Sequence, residues 1–277
     1  NKIRIPIDKN TIIKNKVVAA KYFDSIVPYI DIDIKGNALY KNRLMMLDIL
    51  ANNNWKRPIY FSGGAFDNED YIWMKDYLQL EGMVYKLVPI KTPIDKEAGP
   101  MDMGQIDADK MYANVMKWDW GNSDSNKIYH DPETRRNSIT YRTNLARLMD
   151  KLIAEGKSDK AENIIDLAMT KMPLDKFNYY SVIEPFAKGY YEIGKKEKAR
   201  QLLEKLMTKY KENLNYYGNL SHSDQSDIAI DIVTDIERYR SLLQVMKKNG
   251  DIPFYNKNRS TFNTYIKMFE HFERERE

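Results

Sequence analysis

The sequence predicts an α/β unit followed by an all-α unit, and three observations carry that expectation. A short apolar run, Ile59-Tyr60-Phe61, begins where a helical pattern ends at Asn52-Asn53-Asn54. It has no polar alternate, which suits a central strand covered on both faces. Strand-like and helix-like patterns alternate through roughly the first hundred residues, as βαβ units do. From Ser138 onward the periodicity is helical, and the chain matches itself at an offset of 38 residues, as from Gly156 to Gly194.

Ile3, Ile5 and Ile7 alternate with Lys2, Arg4 and Pro6, a period of two that reads as an edge strand, because proline has no N–H to give a ladder. Ile30, Ile32 and Ile34 alternate with Asp31 and Asp33, giving a strand with one buried and one acidic face. Gly36-Asn37 breaks it. Over 38–52, Tyr40, Leu44, Leu47 and Ala51, flanked by Leu39, Met46 and Leu50, recur at three and four, the mark of a helix with a wide buried face. Strand, helix and strand at this spacing make a right-handed crossover that sets strands 30–34 and 58–62 parallel. Asp70 to Leu80 carries Ile72, Trp73, Tyr77 and Leu80 at helical spacing, Gly82 supplies a left-handed stop, and Met83 to Ile90 reads as a strand. The expected result over residues 1–100 is a small three-layer, Rossmann-like domain with a parallel or mixed sheet. Residues 101–137 form a connector, with one helix carrying Tyr112, Val115 and the edge of Trp118, and a polar loop from Trp120 to Arg136.

In the all-α unit, 138–277, the self-match pairs Gly156-Lys157 with Gly194-Lys195, Lys160-Ala161 with Lys198-Ala199, and Met169-Thr170-Lys171 with Met207-Thr208-Lys209. Each copy reads as a helical hairpin. Tyr141, Leu145, Leu148 and Leu152 make one helix, Gly156 turns it, and Ala161, Ile164, Ile165 and Ala168 face back. A small residue at the closest approach, an apolar residue four later and proline at the exit is the tetratricopeptide spacing. Ala161, Ile165 and Pro173 satisfy it; in the second copy Phe186, Ala187, Tyr190, Ala199 and Leu203 fit, with Lys211 in place of the proline. Two further helices, with Ala229 to Leu243 on one and Phe262 to Phe272 on the other, complete or cap the stack.

Composition bounds the chemistry. The 277 residues hold 44 Lys+Arg against 40 Asp+Glu, a formal +4 with the signs interspersed, which argues against a dedicated nucleic-acid binder. The absence of cysteine removes disulfides, thiolate catalysis and cysteine metal sites together. No apolar run reaches the ~18 residues of a membrane helix, and no charged-then-apolar leader opens the chain. A start at Asn1 without methionine suggests a piece of something longer.

Composition, periodicity and spacing define no reaction on their own. A ligand of an open parallel sheet would sit near Asp33 to Asn37 and Ser62 to Asn68, where Ser62, Gly63 and Gly64 could aim amides at an anion beside Asp33 and Asp67. No G-x-G-x-x-G or G-K-[ST] element supports a nucleotide there, and a flexible turn is the plainer reading. Asn122, Asp124, Asn126, Ile128 and Glu133 fall at calcium-loop spacings, but Lys127 stands where glycine is needed, so no metal is expected. His130, His222 and His271 are scattered and read as surface residues, and no serine elbow exists. Asn219-Leu220-Ser221 and Asn258-Arg259-Ser260 match a glycosylation pattern that an asparagine-rich chain also meets by chance. In the repeats, Arg142, Arg147, Lys151, Tyr180, Glu184 and Lys188 could line a groove for an extended peptide, or stand as plain solvated faces.

The run Asp48-Ile49-Leu50-Ala51-Asn52-Asn53-Asn54-Trp55-Lys56-Arg57-Pro58-Ile59-Tyr60-Phe61, the stretch from Tyr77 to Ile90, Ile5-Pro6-Ile7-Asp8-Lys9, and Trp118 with Trp120-Gly121-Asn122 resemble the soluble carboxyl-terminal part of a bacterial multi-span membrane protein family. That family is similar to protein O-mannosyltransferases, glycosyltransferases that use a lipid-linked sugar, and its members often end in tetratricopeptide-like helices. The resemblance covers nearly the whole chain. It places the catalytic acids in an upstream membrane-spanning portion, so it implies no catalytic residue and no cofactor here. What it implies is a periplasmic, extracytoplasmic accessory domain that holds acceptor protein or peptide beside the membrane domain of the same chain. The rival readings are a self-sufficient ligand-binding or enzymatic α/β domain using the turn after strand 58–62, and a purely structural scaffold.

Overall fold

The computed structural model describes residues 2–34, 38–62, 70–92, 103–270 and 272, with the side chains of 70–73 outside that description. The chain forms two compact units, Asn1–Asp119 and Trp120–Glu277. The stretch 101–137 divides between them, its helix falling in the first and its polar loop in the second.

In the first unit β1 (Lys2–Pro6) pairs antiparallel with β2 (Tyr29–Asp33), Lys2 opposite Asp33 and Pro6 opposite Tyr29. Between them lie α1 (Lys9–Lys14) and a 3-10 turn over Ala20–Ser25. The Asp8 carboxylate starts α1 by accepting the Asn10 N–H at 3.0 Å, and the Thr11 hydroxyl donates to it as well. Next comes α2 (Lys41–Asn52), then a second sheet in the order β3 (Tyr60–Phe61), β5 (Tyr85–Leu87), β4 (Leu78–Leu80), antiparallel throughout. Finally α3 (Ala108–Val115) buries Ala108, Met111 and Val115. Ile12, Val17, Val18, Val88 and Ile90 form a core cluster against which Ile7, Tyr22, Phe23, Ile26 and Trp55 pack.

This architecture corrects the parallel reading. The described strands form two small antiparallel sheets, and those expected to be parallel neighbours, near 30–34 and 58–62, belong to different sheets. Nor is Ile59 to Phe61 central: β3 is a two-residue edge strand, and Tyr60 is exposed. The physical reason is the tyrosine hydroxyl, which donates to Glu81 Oε2 at 3.0 Å and keeps that edge polar. The helix expected to reach Leu80 ends as a 3-10 stretch, Asp70–Tyr77, and Leu78 to Leu80 become β4 instead. Gly82 does take a left-handed conformation (φ 99°), but as the bend between β4 and β5. The wide buried face expected over 38–52 is largely uncovered: Leu47 is buried, whereas Tyr40, Leu44 and Ala51 are exposed.

The second unit is helical: α4 (Pro132–Ala154), α5 (Ser158–Lys171), α6 (Leu174–Phe177), α7 (Glu184–Glu192), α8 (Lys196–Gly218), α9 (His222–Asp227), α10 (Ala229–Lys248) and α11 (Ile252–Met268). Asp131 caps α4, its side chain accepting the N–H groups of Glu133 and Thr134. The pairs α4–α5, α7–α8 and α10–α11 are hairpins closed by the same turn. Gly156, Gly194 and Gly250 have φ of 71°, 76° and 71°. In each, the following residue's N–H bonds a carbonyl five residues back: Lys157 to Leu152, Lys195 to Tyr190, Asp251 to Met246. Ala161 and Ala199 are fully buried, as their spacing requires. The third turn escapes the 38-residue offset because α8 runs 23 residues, against 14 for α5, and α9 follows it.

Candidate functional site

The asparagine triplet that ends α2 builds the most unusual backbone of the first unit. Asn52 folds back, donating to the Asp48 carbonyl and carboxylate at 3.0 and 2.9 Å. Asn53 clasps the loop, donating to the Arg57 carbonyl at 2.8 Å and accepting the Arg57 N–H at 3.3 Å. Asn54 and Trp55 are left-handed (φ 47° and 55°), and so is Lys16 (φ 52°) just past α1. Asparagine tolerates that region; lysine and tryptophan adopt it under constraint. The constraint is Asn15, whose amide donates to the carbonyls of Trp55 at 3.1 Å and Asn54 at 3.4 Å, tying the ends of α1 and α2 together.

This tie closes one end of a groove of about 700 Å³. One wall is β1, where four consecutive residues, Ile3 to Pro6, line the space. A strand face would contribute alternate residues, so β1 presents its edge. The other wall is α2, which contributes Leu44, Leu47, Asp48, Leu50 and Ala51, one face at helical spacing. Lys14, Asn15, Asn54, Trp55 and Lys56 complete the closed end. Arg4 binds Asp31 through its Nε at 2.8 Å, and that guanidinium holds the Asp31 carboxyl below the usual range.

A second hollow, about 380 Å³, lies against the other sheet and includes Gln79, Glu81, Lys86 and Asp107. Its polar groups answer one another. Gln79 donates to Glu81 at 2.8 Å, Lys86 donates to the Val17 carbonyl at 2.7 Å, and Lys21 bridges Asp107 at 2.9 Å. Partial burial of the hydroxyl end, then the Glu81 charge, push the Tyr60 phenol up to about 12, although the residue as a whole is exposed. This network holds β3, β5 and β4 to the segments around them.

The residues singled out in the sequence scatter. Asp33 stands on β2, exposed, 3.8 Å from Lys2, and Ser62 is exposed just past β3 in the other sheet. Gly63, Gly64 and Asp67 lie outside the described residues, as does Asn37. In the second unit, Arg142 departs most from a groove role, for it is fully buried. Its guanidinium donates to the carbonyls of Asn178 and Met172, at 2.5 and 2.8 Å, and lies over the Phe177 ring. Burial pushes it down to about 10, still cationic at neutral pH. Tyr180 donates to Asn178 Oδ1 at 3.2 Å and meets Tyr210 edge-on. Glu184 accepts the Ser241 hydroxyl at 2.8 Å across to α10. Arg147 and Lys151 are half-buried and Lys188 is exposed; Lys151 pairs with Glu155 and Lys188 with Glu192, one turn along their own helices.

The polar loop is docked on the first hairpin. Asp124 meets Lys171 at 3.2 Å, and Ser123 donates to the Lys171 carbonyl. His130, expected at the surface, is buried against Phe177 with its Nε2 2.8 Å from the Ser123 carbonyl; His222 is exposed, and His271 lies outside the described residues. Among the described residues no group of three His, Cys, Asp or Glu could hold a metal ion. No described helix is long and apolar enough to cross a membrane. Sequence reasoning missed Lys14, Asn15, Trp55 and Lys56, although three successive asparagines before a tryptophan were a usable sign of left-handed backbone.

Fold and groove together define a class: a chain in which a small antiparallel-sheet unit, with a strand edge that no other described strand pairs with, precedes a unit of stacked helical hairpins. Residues 1–110 match the family described as TMEM260-associated domain 2. That match lies within the first unit and includes every residue of the groove. No curated protein and no solved structure matches this chain.

Proposed function

We propose that this chain is an extracytoplasmic, non-catalytic, protein-interacting part of a membrane-bound glycosyltransferase similar to protein O-mannosyltransferases. The observation that carries the reading is the match of residues 1–110 to TMEM260-associated domain 2, which agrees with the resemblance of the tryptophan-centred motif. On this reading the hairpins are tetratricopeptide-like repeats that hold acceptor protein near the membrane portion of the same polypeptide. The arrangement suits such a task, because stacked hairpins present extended surfaces to a partner.

The test is made in the full-length membrane protein. A triple variant, Arg147→Ala with Lys151→Ala and Lys188→Ala, alters α4 and α7 without touching the buried Arg142. Sugar transfer to protein acceptors should fall while protein abundance and turnover of the sugar donor by water stay unchanged. Unaltered transfer, both here and after deletion of 120–277, would remove the acceptor-holding role. Loss of abundance on deletion, with normal transfer per molecule, would make the second unit a scaffold.

A further inference from the structure

We propose that the groove between β1 and α2 binds an extended peptide, which adds to the free edge of β1 as a third strand and sets an acidic group against Lys14 and Lys56. The inference goes beyond the function proposed above, since it assigns a site and a ligand chemistry to the first unit.

The strand edge is the first support. Ile7 donates its N–H to the Pro28 carbonyl at 2.9 Å, continuing the register of β1 and β2. Hydrogen-bonded pairs alternate along an antiparallel ladder, so the backbone groups of Ile5 and Ile3 turn toward β2. Those of Arg4 and Lys2 turn outward, and among the described residues no backbone group pairs with them. Pro6 offers only its carbonyl there, which limits pairing to the segment before it. An open edge is a template for a further strand.

Opposite that edge, α2 supplies what such a strand would touch. Leu44, Leu47 and Ala51 line the groove, and Leu44 is more than half exposed at 58%. A strand paired to β1 directs alternate side chains onto this stripe, the arrangement by which peptides added to sheet edges gain specificity.

Charge chooses the partner. Of the ionisable groups that line the groove, Arg4 is paired with Asp31, while the Asp8 and Asp48 carboxylates keep their charge and accept from the neutral groups of Asn10 and Thr11 and of Asn52. Lys14 and Lys56 make no ion pair among the described residues, and both stand at the closed end beside Trp55. Lys16 and Arg57 extend the cationic surface into the adjoining hollow, which shares Asn15, Trp55 and Lys56 with the groove. An aspartate, a glutamate or a free carboxyl terminus of the peptide would complete this end.

The test is panning of a random dodecapeptide library on the 277-residue chain, with counter-selection on a Leu44→Asp, Lys14→Glu, Lys56→Glu variant of unchanged circular dichroism. Enriched peptides, resynthesised with a fluorophore, should carry alternating apolar residues and an acidic end, and should lose binding on N-methylation of alternate amides. Arg4→Pro removes the outward N–H and should weaken them about tenfold, whereas Arg4→Ala, which keeps that N–H, should not. If Arg4→Pro disturbs the fold, the loss on N-methylation of alternate peptide amides carries the strand-pairing test, and Lys14→Glu with Lys56→Glu tests the acidic end at surface positions. Failure to enrich peptides, or peptides indifferent to these substitutions, overturns the proposal. So does dimerisation through the groove, or a preference of the same residues for phosphatidylcholine–phosphatidylglycerol vesicles over peptides. Panning uses the chain alone and the transfer assay uses membranes, so either idea can fail without the other.

Discussion

Asp251 and Arg200 form a charge-reversed copy of a contact made one hairpin earlier. Arg200 donates Nε to Asp251 Oδ2 at 2.8 Å and a terminal nitrogen to Oδ1 at 2.7 Å. In the preceding step Lys195 binds Glu162 at 2.8 Å. Under the 38-residue offset Glu162 corresponds to Arg200, and Lys195 and Asp251 each follow the glycine of their hairpin turn. The residue after the turn therefore reaches the second helix of the previous hairpin in both cases, with the signs exchanged. With the signs exchanged, Asp251 set against Glu162 would meet a like charge, which disfavours that mispairing.

Asp251 is fully buried, and Tyr191 and Lys196 also bind it, at 2.9 and 3.2 Å. Arg200 first, then Tyr191 and Lys196, hold its carboxyl well below the usual range against the opposing effect of burial. Asp251→Asn should lower the melting temperature by roughly 3–8 °C at pH 7. A carboxyl depressed in the folded state stabilises above its unfolded pKa of about 3.9 and loses that contribution as pH falls through the folded one. The gap between wild type and variant should accordingly close in strong acid. Arg200→Glu with Asp251→Lys should recover part of the loss that either change causes alone. No recovery would mean that the contact does not set register.

Glycines at left-handed positions should divide into two groups. A Cβ at Gly156, Gly194 or Gly250 meets nothing within 4 Å, so alanine there costs only the backbone penalty, about 1–2 kcal/mol. At Gly82 a Cβ would stand 2.7 Å from the Trp118 ring. Gly82→Ala should destabilise the first unit by roughly 2–4 kcal/mol. Urea unfolding, followed separately for the two units, measures both.

Overpacking should expose how tightly the hairpins close. Ala199 has no exposed surface, and Ala199→Leu should cost about 1–3 kcal/mol or force the two helices apart. Hydrogen exchange in α7 and α8 would register the separation. An unchanged unfolding midpoint would contradict the packing described.

Arg142 should behave as a clamp. It holds the carbonyls of Met172 and Asn178 next to two left-handed residues, Asn178 (φ 54°) and Tyr179 (φ 52°). Arg142→Met leaves both carbonyls without that donor and should cost roughly 2–4 kcal/mol. Limited proteolysis should then cut near Tyr179 faster than in the wild type.

Asn15→Ala removes both bonds that tie the end of α1 to Asn54 and Trp55. The expected loss is about 1–2 kcal/mol, together with a change in Trp55 fluorescence. Unchanged emission would mean that the left-handed turn persists without Asn15.

Legibility followed the range of the forces. Gly156 and Gly194 were readable because the bonds closing each turn span only a few residues. Ala161 and Ala199 were readable because helix spacing states which positions meet. The face of α2 shows the limit: its periodicity marked Leu44 as apolar, but could not say that the fold leaves it uncovered. Leu78-Gln79-Leu80 illustrates the same point, since pairing with β5 overrides a local pattern that reads as helix. The groove was missed because its walls come from β1 and α2, each unremarkable alone.

By itself the sequence determined the helical hairpins, their turns and their small-residue contacts, because those rest on neighbours a few positions apart. Tertiary structure alone decided which strands pair, that they run antiparallel, that Tyr60 lies at an edge and that Arg142 is buried. Those outcomes depend on contacts between residues distant in sequence, whose summed burial and hydrogen bonding no local pattern encodes.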